Sequence, residues 1–187
     1  FLTEGFRRYR RLFMTLPICA SYPEPSRPLP PDIEIHRWTE NDYQPAANII
    51  TYAYRNHVDS DVNDQYRTIA GSLRFLNNIV RFPGCGVFDS TSSFVAFHRP
   101  THTRIAVLLC SRVRKDVGHI TQVCTLPEYR GSGIGEHLLR YCGADLAARR
   151  YTELSLTVTE ENQRALAFYR RLGFQHLHTF DGFVWES

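Results

Sequence analysis

The stretch PEYRGSGIGEHLL, residues 127–139, carries glycines at 131, 133 and 135 and runs directly into helical spacing. A glycine inside a helix costs about 1 kcal/mol against alanine, so three at alternate positions on a helix start call for a chemical reason. A strand stopped by proline, then Gly-x-Gly-x-Gly, then a helix N-terminus makes an anion-binding geometry. Backbone N–H groups can turn toward a ligand with no Cβ in the way, and the helix dipole favours negative charge. A merely flexible tight turn is the alternative, and the position of the glycines on the helix start argues against it. Two phosphate loops are excluded. No G-K-[ST] follows, and a dinucleotide fingerprint needs G-x-G-x-x-G, whereas Glu136 follows Gly135 directly and the loop comes late in the chain.

Other residues carry chemistry of their own. NHVDSDVNDQY (56–66) supplies Asp59, Asp61 and Asp64 beside Tyr66, carboxylates that could attract an ammonium or simply face solvent. The run Asp59-x-Asp61-x-Asn63 imitates the start of a calcium loop. It fails as one because Asp64 stands where glycine is required and Ala70 where a glutamate is required. His176 and His178 alternate on a strand-like stretch without a third ligand and read as surface residues, so no metal site is expected. The five cysteines (19, 85, 110, 124 and 142) make an odd count with no C-x-x-C pair, and Cys110 and Cys124 sit inside apolar runs. That usage fits a reducing cytoplasm rather than a disulfide framework.

Alternating elements must position these groups. IEIHRW (33–38), SFVAFH (93–98), RIAVLLCSRV (104–113), HITQVCTL (119–126) and ELSLTV (153–158) read as strands, and two short closing strands are expected near 174–178 and 183–185. Helical spacing marks 41–54, with Asp42 near its N-cap and Pro45 in the first turn. It recurs through Ile69, Leu73, Leu76 and Val80, and again through Ile134, Leu138, Cys142 and Leu146. The helix NQRALAFYRRL (162–172) ends at Gly173. The pattern predicts a mixed α/β domain, helices packed against a central sheet.

Six of the ten prolines fall in residues 17–31, which therefore read as an extended linker. Residues 1–16 share a Gly-Phe-then-strand pattern with RLGFQHLHTFDGFVW at the other end. They are either an N-terminal extension that matches by chance or the remnant of an upstream related domain. The 187 residues carry a net charge of +3, too mild and scattered for a nucleic-acid partner. No apolar run approaches the roughly 18 residues of a membrane span, and no signal peptide is visible.

RGSGIG, Arg130 to Gly135, resembles the Q/R-x-x-G-x-G/A motif of the GNAT superfamily of acetyl-CoA-dependent N-acyltransferases. HITQVCTLPEYRG looks like that family's fourth strand and its Pro-x-x-Arg-Gly exit. TEENQRALAFYRRLGF is similar to the N-x-x-A-x-x-F-Y-x-x-x-G-F helix through Asn162, Ala165, Phe168, Tyr169, Gly173 and Phe174. The likeness covers residues 32–187. It implies a three-layer domain with a mixed, mostly antiparallel sheet of six to seven strands and a splayed fourth and fifth pair. It also implies acetyl transfer from acetyl-CoA to a primary amine by direct attack in a ternary complex, with no metal.

In that scheme the backbone from Arg130 through Gly131, Ser132, Gly133, Ile134 and Gly135 to Glu136 holds the pyrophosphate. Val123, Cys124 and Thr125 hold the pantetheine arm through main chain, and Asn162 caps its helix or bonds that arm. Tyr169 protonates the departing thiolate. His119, standing where many relatives carry a glutamate, is the candidate base, with a water relay as its rival. Asp59, Asp61 and Tyr66 are candidates for the acceptor side, together with a C-terminal hairpin. The acceptor itself, a small molecule or peptide amine, stays open. A homodimer or an upstream domain is the expected protein partner, and a catalytically degenerate acyl-CoA-binding module is the alternative function.

Overall fold

The computed structural model describes residues 5–18 and 25–185. Eight strands form one sheet: β1 (Phe6–Pro17), β2 (Ile33–Arg37), β3 (Val87–Phe88), β4 (Phe94–His98), β5 (Thr103–Arg114), β6 (Val117–Thr125), β7 (Glu153–Thr159) and β8 (Gln175–Trp185). Five α-helices accompany them: α1 (Tyr43–Ala53), α2 (Val58–Val62), α3 (Ile69–Val80), α4 (Ile134–Ala148) and α5 (Gln163–Arg171). The sheet order is β2-β4-β5-β6-β7-β1-β8, with β3 paired to β5, and every pairing is antiparallel except β6 with β7.

The alternation along β5 builds the three layers. Ala106, Leu108 and Cys110 face one side, where they join Ile134, Leu138, Cys142 and Leu146 of α4 and Leu166 and Tyr169 of α5. Val107 and Leu109 face the other, against Ala46, Ala47, Ile49 and Ile50 of α1 and Leu76 of α3. The α4 stripe read from spacing is thus a core stripe, and the α3 stripe reaches the opposite core through Leu73, Leu76 and Val80 while Ile69 is exposed. The starts of α3 and α5 are capped locally. The Thr68 hydroxyl accepts from the Gly71 N–H at 3.0 Å for α3, and the Asn162 side chain accepts from the Ala165 N–H at 3.2 Å for α5.

The two ends of the chain differ from expectation. Residues 175–185 form one continuous strand instead of two short ones, because β1 lies alongside and pairs with it from Phe6↔Trp185 to Thr15↔Gln175. The Asp181-Gly182 step, between the two strands expected there, is held extended opposite Arg10 and Tyr9. Among the described residues, no C-terminal hairpin exists to shape an acceptor site. β1 also pairs with β7, and its Tyr9, Leu12 and Met14 are buried. With β1 and the short β3, the sheet has eight strands rather than six or seven.

Part of the proline-rich stretch, residues 19–24, together with Cys19, lies outside the described residues. The residues just beyond it pack closely against α4. The Ser26 N–H and hydroxyl donate to Glu136, and the Arg27 carbonyl receives a bond from His137 Nε2 at 2.9 Å. Cys110, Cys124 and Cys142 are buried as free thiols, and Cys85 is exposed. Among the described residues, no helix is long and apolar enough to cross a membrane.

Candidate active site

β6 pairs with β7 only from Val117 to Ile120. Beyond that point the strands part: β7 continues against β1, and β6 continues against β5 from Gln122 to Thr125. A bulge at Thr121, the residue skipped between the Leu109↔Gln122 and Cys110↔Ile120 pairs, marks the divergence. Val123, Cys124 and Thr125 therefore have a strand on one side only. They line a cavity of about 610 Å³ that reaches from this edge to the glycine loop and α5.

At one end of this cavity lies the glycine loop. Gly131 and Gly133 take φ of +82° and +88°, a left-handed conformation that L side chains rarely adopt. A Cβ built on Gly131 would meet nothing within 4 Å, so it is backbone conformation, not crowding, that requires glycine there. Two backbone donors expected to hold an anion are committed elsewhere. The Arg130 N–H donates to Pro127 O at 3.2 Å, and the Glu136 N–H to Gly133 O at 3.0 Å. Between them, the N–H groups of Gly131, Ser132, Gly133, Ile134 and Gly135 have no hydrogen-bond partner among the described residues. Five successive unpaired donors at the start of a 15-residue helix form an anion cradle.

Charged side chains agree with that polarity. Arg27, Arg130, Arg164 and Arg171 line the cavity, with Glu136 as the carboxylate among them. Glu136 is buried and held by Ser26, by Arg140 at 2.8 Å and by Arg171 at 3.0 Å; these bonds outweigh burial and bring its carboxyl down to about 2. The Arg130 guanidinium donates to Ala53 O, tying the loop to the end of α1, and Arg27 Nη1 donates to Gly131 O at 3.3 Å.

Tyr169 lies across the cavity on α5. Its ring is buried between Phe168 and Phe174, and its hydroxyl takes no hydrogen bond from the described residues. Burial raises its pKa above the ordinary phenol value, so it remains a proton donor at neutral pH. Cys124 is buried as well, and its thiol is pushed up to about 12, far from the thiolate that a nucleophile requires. Asn162 lines the cavity while capping α5, and its amide nitrogen donates to Asp59 Oδ2 at 3.2 Å.

Of the residues singled out from sequence, the cavity brings together Val123, Cys124, Thr125, Arg130, Gly131, Gly133, Ile134, Gly135, Glu136, Asn162 and Tyr169. Ser132 is not in the lining; its hydroxyl bonds Tyr129 O at 2.6 Å. His119 is not in it either. Its Nδ1 lies 2.9 Å from the Ser155 hydroxyl, which donates its own proton to Gly118 O, so Nδ1 carries the ring proton. Burial lowers its pKa to about 4, and its ring stacks on Phe13, which stacks in turn on His178.

The acidic residues are also committed. Asp59 receives bonds from Thr159 and Asn162 and lies 3.4 Å from His57; Asp61 pairs with Arg67 at 3.3 Å. Tyr66 stacks on Tyr54 with 4.6 Å between ring centroids. Among the described residues no group of three or more His, Cys, Asp or Glu is placed to hold a metal.

Sequence reasoning missed Ser26, Arg27, Tyr54, His57, Arg164 and Arg171 in this lining. Ser26 and Arg27 were hidden by proline-rich composition. Arg171 stands seven residues beyond Arg164, two turns along the helix, a repeat that could have shown a basic face on α5.

The sequence profile of the Acetyltransferase (GNAT) family matches residues 35–174. Solved structures share the fold. A GCN5-related N-acetyltransferase from Sphaerobacter thermophilus superposes with a TM-score of 0.72 at 19% identity, covering 95% of this chain and 52% of its own. The chain thus spans about half the length of that protein. An acetyltransferase from Streptococcus agalactiae gives 0.59 at 18% identity, with 79% and 86% covered. An N-acetyltransferase from Thermoplasma acidophilum, solved in complex with coenzyme A, gives 0.56 at 16% identity, with 74% and 87% covered. The profile match over most of the chain, together with a parted strand pair that opens onto a glycine cradle, places this protein in the GNAT acetyltransferase family.

Proposed function

We propose that this chain transfers an acetyl group from acetyl-CoA to a primary amine by direct attack within a ternary complex. Acetyl-CoA supplies an activated thioester; the rest of the work falls to the residues around the cavity. The N–H groups from Gly131 to Gly135 suit a pyrophosphate, and Arg27, Arg164 and Arg171 add positive charge beside them. The one-sided edge from Val123 to Thr125 offers main-chain groups to an extended amide-bearing arm.

Tyr169 is the proton donor to the departing sulfur. Its hydroxyl, carried on a buried ring at the cavity wall and without a partner among the described residues, is the observation that carries this reading. The amine's proton leaves to water. Glu136 is far too weak a base, His119 stands outside the cavity, and His57 Nδ1 is occupied by the Asp59 N–H at 3.1 Å.

Tyr169→Phe tests the proposal. Thiol release from acetyl-CoA with an accepted amine is expected to fall about 10²- to 10⁴-fold in kcat, the usual worth of a positioned proton donor. Affinity for acetyl-CoA should stay within roughly threefold of the parent, because a phenyl ring keeps the same packing. Unchanged turnover would remove Tyr169 from the mechanism. Tight acetyl-CoA binding with no turnover across a broad amine panel would instead make the chain an acyl-CoA-binding module.

A further inference from the structure

A second cavity, of about 640 Å³, adjoins the first and shares Tyr54 and His57 with it. It is walled by the end of α1 and the residues after it, by α2, by Arg7 of β1, by Arg67 and by the β7–α5 loop, and no residue of the glycine cradle lines it. Its polar groups fall into two sets. The acids near it on α2 are already matched: Asp61 pairs with Arg67, and Asp59 is held by Thr159 and Asn162. The donors are not. Arg55 lies over the Tyr52 ring at 4.9 Å and has no carboxylate within ion-pairing distance among the described residues; Arg7 approaches from β1.

A further donor is buried against Tyr54, a residue both cavities share, although it lines neither of them. Gln122 is 4% exposed, and its Oε1 accepts from the Tyr54 hydroxyl at 2.8 Å. Its amide nitrogen has no partner among the described residues, a deficit that costs about 1–3 kcal/mol until something accepts from it. One carboxylate in the lining, Glu161, likewise lacks an ion-pair partner among the described residues. It is next in the chain to Asn162 of the cofactor cavity.

We propose that this second cavity is the acceptor site and that the acceptor is a zwitterion, an amine that also carries a carboxylate. The carboxylate is held at Arg55, and Glu161 draws the ammonium toward the Tyr54–His57 wall and the cofactor cavity behind it. A guanidinium without a carboxylate partner among the described residues asks for oxygen atoms on the ligand. A polyamine finds one unmatched acid here and an unmatched arginine opposing it. The inference deepens the acetyl-transfer reading and rests on it for the identity of the first cavity.

The test compares free amino acids with their carboxamides, ligands that differ by one charge at constant shape. Each is titrated calorimetrically into the protein with and without coenzyme A, so that failure to bind coenzyme A counts against the cofactor reading alone while the second cavity is still read. At least tenfold tighter binding of the acids over the amides is expected, and Arg55→Gln should erase that preference. Arg55 is exposed and bears no core contact, so the substitution leaves the fold intact. Equal binding of acids and amides, tighter binding of spermidine than of any amino acid, or a preference that survives Arg55→Gln would overturn the proposal.

Discussion

The two cavities that meet at Tyr54 and His57 are built from different materials. The cofactor side rests mainly on backbone: five N–H groups on one loop with no partner among the described residues, and a strand edge left open by a parting neighbour, with arginine side chains beside them. The acceptor side is made of side chains brought from β1, α1, α2 and the β7–α5 loop. A backbone site demands a particular chain conformation, so it imposes glycine at particular steps and tolerates few alternatives. A side-chain site asks only for charge at a place in space, which many positions can deliver.

That contrast is broken most decisively at the loop. Gly133→Glu puts a side chain on a residue with φ of +88° and adds a negative charge to an anion cradle. Acetyl-CoA binding should fall more than 100-fold by calorimetry. Retained affinity would remove the cradle from the cofactor site.

A smaller effect, on stability, is expected at Glu136. Glu136→Gln removes the charge that Arg140 and Arg171 enclose and should cost about 3 kcal/mol in denaturant unfolding, the scale of breaking a buried ion pair. The parent carboxyl titrates near 2 when folded, against 4.5 when free. Its contribution is therefore full above pH 4.5 and is lost as pH falls from there through about 2. The substituted protein should lose that part of its acid sensitivity, and a parallel pH profile would count against the ion-pair account.

The smallest effect on catalysis is expected at His119. Its ring is neutral when folded, at about 4, and protonates near 6.5 when unfolded. It thus contributes stability above pH 6.5 that drains away as pH falls toward 4. His119→Gln should move acid unfolding in that window while leaving the pH dependence of kcat/KM unchanged. A lost acid-side limb in the rate profile would restore His119 as the base.

The same contrast explains what could be read in the sequence. The glycine loop, the α4 stripe and the β6 exit were legible because each is fixed by local periodicity, by a proline stop or by a conformation only glycine adopts readily. The acceptor side was not. Asp59 and Asp61 looked like free carboxylates, yet their partners, Thr159 and Asn162 for one and Arg67 for the other, could not be assigned before the fold brought them together. Ser26 and Arg27 were masked by prolines that read as a linker, although their hydrogen bonds run 110 residues along the chain to the start of α4. The closing strands were misjudged for a related reason. A Gly after an Asp looks like a turn unless a partner strand from the far end of the chain holds it straight.

That partner strand has a consequence for how the molecule assembles. Among the described strands β8 has no other neighbour than β1, and the pairing joins residues about as far apart in sequence as this chain allows, Phe6 with Trp185. Everything from β2 to α5 can collapse around α4 and α1 while β1, its Tyr9, Leu12 and Met14 unburied, has only β7 to rest on. Contacts of such long range carry a loop-closure cost that is repaid only when the last strand arrives. The β1–β8 seam is therefore expected to close late in folding.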